Sequence, residues 1–303
     1  MDSVTPALAE NAPTAAIAPE IAPPGRQKIL LRPRSGWVPL DLAELWRYRE
    51  LLWFLALRDV KLRYKQTALG AAWAIIQPLF TMLVFTIFLG WLGHLGNPND
   101  RIPYSVRTFC ALLPWQLFAN SLLQAGNSLV NNERLIAKVY FPRLLMPFAA
   151  VLSGLLDFAI AFVILLLIMV CRRHPILPGW GVLTLPFFVL MAVLTAMSVG
   201  LWLSAINVQY RDVRYAIPFL TQFWMFASPV AYSMQLLDKL PTWAKALYGL
   251  NPMVGVIEGF NWAMLREHAP GISMIVSSIV MIALMIGGLY YFRRMETTFA
   301  DIV

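Results

Sequence analysis

The chain has 303 residues, 59% of them hydrophobic and only 13% charged, with a formal net charge of +8. A water-soluble domain carries about 25% charged residues, so this composition excludes a protein whose whole surface meets water. The length suits about five to seven membrane-spanning helices with short ends. The positive charge does not point to nucleic acid, because a large share of the 24 Lys and Arg residues lies between Arg26 and Lys65, just before the first long apolar run. A cytoplasmic segment facing anionic headgroups carries its charge in that place.

Residues 1–35 read as a disordered cytoplasmic tail. Asp2 and Glu10 stand where a signal peptide would be basic, and the Ala/Pro-rich stretch from Thr5 to Gly25 holds no apolar segment. Residues 36–66 read as an amphipathic interfacial helix. At 100° per residue, Arg47, Glu50, Arg58, Lys61 and Lys65 fall within a wedge of about 80°. Leu51, Leu55 and Leu62 lie around the adjoining face, and Trp46, Trp53 and Tyr64 suit headgroup depth. Amphipathicity alone makes this segment either a membrane anchor or a contact surface for a cytoplasmic partner.

Residues 67–303 read as an all-α polytopic membrane domain with six transmembrane helices. The candidate spans are Gln66–Gly93, Thr108–Asn132, Leu144–Cys171, the stretch from Pro175 to Tyr210, Tyr215–Leu237 and Gly271–Phe292. None alternates as a barrel strand would. Ala246–Leu265 is long enough but holds Asn251, Pro252, Glu258 and Asn261. A carboxylate at mid-bilayer costs ~3 kcal/mol, so residues 236–268 read as a re-entrant outer hairpin before the last span. Basic residues cluster in Arg26 to Lys65, at Arg134, Lys138 and Arg143, at Arg211 and Arg214, and at Arg293 and Arg294. That bias places both termini in the cytoplasm.

Asp157 lies midway along an otherwise apolar helix, where it must face protein or water. A structural hydrogen bond is one reading; sensing substrate or stabilising a dimer is the other. Cys110 and Cys171 read as two small apolar side chains, a bridge near the outer face being the alternative. His94, His174 and His268 are isolated, without metal-ligand spacing, and no G-x-x-x-x-G-K-[ST] loop occurs. We therefore assign no catalytic residue, no metal site and no cofactor to the chain.

The short segment 131–143 is the most informative stretch. Asn132 can cap a short helix whose first turn holds Glu133, and Leu135, Ile136, Val139 and Tyr140 recur at helical spacing as anchors for a groove. Pro142 ends that helix. The run Asn132, Leu135-Ile136-Ala137-Lys138, Phe141-Pro142-Arg143 resembles the coupling helix of polysaccharide-exporting ABC permeases. The resemblance continues through Arg58-Asp59-Val60-Lys61-Leu62-Arg63-Tyr64, Leu69 to Trp73, Gln77-Pro78, Tyr210-Arg211-Asp212-Val213 and the tail from Glu296. It covers about residues 40 to 303.

This resemblance implies a homodimer in the bacterial inner membrane, served by two copies of a separate ATP-binding subunit that uses ATP and Mg. Asn132 to Arg143 and Tyr210 to Asp212 would contact that subunit. The cargo implied is a lipid-linked polysaccharide, whose sugar C–H faces stack on aromatic rings. Trp115, Phe118, Phe219, Phe223, Trp224, Phe226 and Tyr232 are the candidate path residues. Asn251, Pro252, Glu258 and Asn261 would form an outer gate. An ABC exporter of drugs or small lipids, a polyprenyl-dependent glycosyltransferase or acyltransferase, and an ion channel are the competing readings.

Overall fold

The computed structural model describes residues 46–65, 72–96, 102–171, 180–210, 212–232, 241–267 and 269–296, all within the compact unit Pro39–Val303. Every regular element among them is helical, as expected where lipid leaves backbone groups no partner outside their own helix. The expected tail 1–35 and the residues after Glu296 lie outside the described residues.

Helix α1 spans Arg49–Lys65. Helix α2 spans Ala72–Phe85 and continues as a π-helix over Thr86–Leu92. Helix α3 (Tyr104–Asn131) is followed by the single-turn α4 (Glu133–Lys138) and by α5 (Leu145–Cys171). A 3-10 turn, Trp180–Thr184, leads into α6 (Leu185–Gln209), and α7 covers Val213–Phe226. Two short helices, α8 (Thr242–Tyr248) and α9 (Pro252–Leu265), precede the long α10 (Ile272–Glu296).

Four segments are long and apolar enough to cross a membrane: Ala72–Leu92, Leu145–Cys171, Trp180–Gln209 and Ile272–Glu296. The 28-residue α3 is also long enough, but Gln116, Asn120 and Gln124 dilute its apolar character. It stands between α5 and α6, its principal neighbours. The fifth expected span, Tyr215–Leu237, is helical only through Phe226. Its 14 residues rise about 21 Å, less than the ~30 Å hydrocarbon core. The chain turns at Ala227 to Tyr232, where Pro229 cannot donate to a continuing helix.

Small residues let the long helices approach closely. A Cβ on Gly200 would lie 2.8 Å from the Ala125 Cβ, and one on Gly288 would lie 2.7 Å from the Ser198 carbonyl. The buried side chains form two clusters. One gathers Phe109, Phe118, Phe188, Ile257 and Phe260 around the Tyr104 end of α3; the other gathers Leu55, Leu129, Phe141, Leu144, Val208 and Phe292 around its Asn131 end.

Candidate functional site

The Asn131 end of α3 brings together the segments singled out in the sequence. Leu135 and Ile136 of α4 pack partly buried against the lower cluster, while Tyr140 is 71% exposed and Val139 half exposed. Phe141 points the other way and is only 6% exposed, inside that cluster. Asn132 occupies the N-cap position of α4 but does not cap it. Its amide instead donates to the Ser128 carbonyl at 2.8 Å, and its oxygen accepts from the Arg58 guanidinium at 2.7 Å. That charged donor takes the oxygen a cap would need, which corrects the expected capping role. Glu133 and Lys138 lie exposed at the two ends of α4.

The chain after Lys138 is extended, and Pro142 accepts from the Leu145 amide as α5 begins. Arg143 fastens this return: its backbone N–H donates to the Glu296 carboxylate at 3.2 Å, and its guanidinium reaches the Glu296 carbonyl. Tyr210 is exposed at the end of α6, close to Val208 of the lower cluster, and Asp212 holds the N-cap position of α7 without a side-chain cap. Arg211 lies outside the described residues.

Helix α1 joins this end to the interior. Leu55 and Ala56 face the lower cluster, whereas Trp53, Phe54 and Leu62 are exposed, so its apolar surface serves two sides. Arg47 and Lys61 are exposed. Arg58 pairs with Asp59 at 2.7 Å as well as with Asn132. Further on, Arg63 pairs with Asp157 and also donates to Gln124 and Ser153, and the Tyr64 hydroxyl donates to Asp157. Burial first, then the Asp157 hydrogen bond, raises the Tyr64 pKa and keeps this hydroxyl a donor. The last turn of α1 thus sits beside the middle of α5, deeper than a helix laid across the bundle end would reach.

Beside that network lies an open-sided cleft of about 230 Å³ between α1, α2, α3 and α5. Arg63 and Asp157 border it, Trp73 and Gln77 line it from α2, and Gln116 and Asn120 line it from α3. The reading of the sequence passed over these amides, although their four-residue spacing in an apolar run was a visible signal.

The aromatic candidates divide into two groups. Trp115 and Phe118 are 3% and 0% exposed, with Phe118 edge-on to Trp224 at 5.1 Å, so neither presents a ring to a surface. Phe219, Phe223 and Phe226 form an exposed stripe on α7, the first two with centroids 4.7 Å apart. Tyr232 meets Tyr248 through their hydroxyls at 2.5 Å. Burial, then that contact, raises the Tyr248 pKa.

The outer candidates pack rather than project. Asn251 accepts from the Met253 amide to cap α9, with Pro252 in the first turn, accepts from the Trp224 indole at 2.8 Å, and donates to Ala227 and Ser228. Glu258 accepts from Ser273 at 2.5 Å. Asn261 is buried, so it does not open onto a vestibule in this conformation. Arg107 and Glu267 pair at 2.6 Å, tying the start of α3 to the chain after α9.

This arrangement defines a multi-pass helical membrane protein with a short, surface-exposed connector helix linked to its interior by polar side chains. No His, Cys, Asp and Glu group suited to a metal occurs among the described residues. The chain belongs to the ABC-2 type transporter family, whose pattern matches residues 50–265. It is therefore a transport permease subunit rather than an enzyme by family. Among its relatives, the O-antigen export system permease protein RfbA of Myxococcus xanthus is 29% identical over 225 residues, 74% of this chain and 84% of the relative. The protein of the same name from Klebsiella pneumoniae is 25% identical over 258 residues, covering 84% and 95%. The polysialic acid transport protein KpsM of Escherichia coli is 22% identical over 245 residues, covering 80% and 92%.

Proposed function

We propose that this chain is the membrane-spanning half of an ATP-driven exporter that moves a lipid-linked polysaccharide across the bacterial inner membrane. The observation that carries the proposal is the connector 131–143, with Tyr140 exposed and Leu135, Ile136 and Phe141 anchored below it, inside a chain of the ABC-2 family. Relatives named for O-antigen export and polysialic acid transport supply the cargo class. Two copies of the chain assemble with two copies of a separate subunit that uses ATP and Mg, and the chain binds no cofactor itself. Both termini lie in the cytoplasm, the chain crosses the membrane six times with α7 in the fifth crossing, and α8–α9 form the re-entrant outer gate. The relatives named above carry O-antigen export and polysialic acid transport in their names, which favours this reading over drug export, a membrane enzyme or a channel.

The test is to co-express the chain with its neighbouring ATPase and purify through a tag on this chain. A stoichiometric ATPase that is lost with Tyr140→Ala, while the thermal midpoint of the permease is unchanged, supports the proposal. Phe141→Ala differs because it empties a buried site, lowering stability by about 3 kcal/mol. Failure of any ATPase to associate in several mild detergents overturns the exporter reading.

A further inference from the structure

Polar side chains inside a membrane helix are expensive, and where they persist they meet a partner, a cavity or a ligand. Gln116, Asn120 and Gln124 recur every four residues on α3 and so share one face, a stripe of about 12 Å along the helix. Gln124 is consumed within the chain, accepting from Arg63 and from Ser153. The other two are not: no described residue pairs with the side-chain amides of Gln116 or Asn120, nor with that of Gln77 across the cleft on α2. Three amides with no partner among the described residues therefore converge on one cleft, beside the 53% exposed Trp73 and above an apolar floor that includes Leu117 and Phe158.

The charge balance narrows what the cleft can hold. Its cation, Arg63, is already matched by Asp157, so the cleft is close to neutral. A diphosphate would bring uncompensated negative charge against the Asp157 carboxylate. A sugar ring fits the chemistry better: its hydroxyls both donate and accept, as amides do, and its C–H face stacks on an indole. A second copy of the chain is the other partner that membrane amides attract. Gln77 lies at the exposed rim, whereas Gln116 and Asn120 are half-buried and line the cleft, where a small ring reaches them more readily than the flank of a second helix.

We propose that the cleft formed by Trp73, Gln77, Gln116 and Asn120 is a subsite for one neutral sugar ring of the cargo. The site rests on the reading of the chain as a glycan exporter and adds where a sugar is held during passage. Because no described residue pairs with Gln116 or Asn120, replacing either by Leu removes a polar cost without removing a described internal bond, so the thermal midpoint stays level or rises. A residue with a structural role would lower it.

The experiment uses the full permease–ATPase complex in cells that make their own surface glycan, and reads export rate, thermal midpoint and dimer content. Gln116→Leu and Asn120→Leu should each slow export about fivefold, and the double variant more than tenfold, the order expected for one lost hydrogen bond per amide. In parallel, p-benzoylphenylalanine in place of Gln77 is irradiated with undecaprenyl-diphosphate-linked glycan or with bare undecaprenyl diphosphate. Crosslinking to the glycan-bearing probe alone supports the subsite. Equal crosslinking to both probes reassigns the cleft to the lipid headgroup and overturns it. Loss of dimer in the Leu variants makes the stripe an interface and overturns it too. Unchanged export in the double variant overturns the subsite while leaving the exporter reading standing. A wild-type complex that exports no glycan overturns that reading and the subsite with it.

Discussion

Two polar networks hold this bundle together, one beside the middle of α5 and one at the turn between α8 and α9, and they are built from different chemistry. The network beside the middle of α5 is charged: Arg63, Asp157, Tyr64, Gln124 and Ser153 tie α1 to α3 and α5, and Arg58 carries a further tie to Asn132 at the end of α3. The second network is neutral: Asn251, Trp224, Ser228 and Ser277 hold the turn between α8 and α9 against the end of α7 and against α10. A partly buried ion pair is costly to leave half-broken, because the surviving charge stays in a poor solvent. A neutral hydrogen bond loses far less when cut. The charged network therefore resists being pulled apart more than the neutral one does.

The largest effect should come from halving the charged pair. Asp157→Ala strands Arg63 and should lower the stability of the purified permease by about 3 kcal/mol, read by thermal or denaturant unfolding in detergent. The double change Arg63→Met with Asp157→Leu removes both charges together and should recover most of that loss. If the single and double variants are equally unstable, the pairing of the two charges is not what holds α1 in place.

At the second network, Asn251→Ala removes the cap of α9 and the acceptor for Trp224 together and should cost about 2 kcal/mol. A loss as large as that of Asp157→Ala would erase the difference between the two networks. The smallest effect is expected at Tyr248→Phe, about 1 kcal/mol, because only the contact with the Tyr232 hydroxyl is cut. Export kinetics should change more at these two positions than their stability does, if these contacts serve the proposed gate.

Much of the membrane domain was legible in the residues. The apolar runs that became α2, α5, α6 and α10 could be read because a chain in lipid satisfies its backbone only as helix, so length and hydropathy suffice. The short α4 was legible in part: a helix with Glu133 in its first turn was expected to run on to Tyr140 and stop at Pro142, whereas it ends at Lys138, with Val139 already extended. The fifth span was over-read: the run to Leu237 is apolar throughout, and hydropathy does not register the turns from Ala227 to Tyr232. Asn132 was read as a cap because its type and place suit one; Arg58, far away in sequence, claimed its oxygen instead.

The site was less legible than the fold. Trp115 and Phe118 were chosen as path residues for their rings, yet α3 turns them into the core and turns Gln116 and Asn120 toward the cleft. Tyr140 and Phe141 are neighbours of similar character, and the chain exposes one and buries the other. The sequence by itself determined that this is a helical membrane protein of several spans, with a polar connector after its second long helix. Only the tertiary structure decided which face of each helix meets protein, which meets the cleft and which acid pairs with which base. The physical reason is that lipid tails are as apolar as a protein core, so the pattern of hydrophobic residues marks the length of a membrane helix but not its inward side.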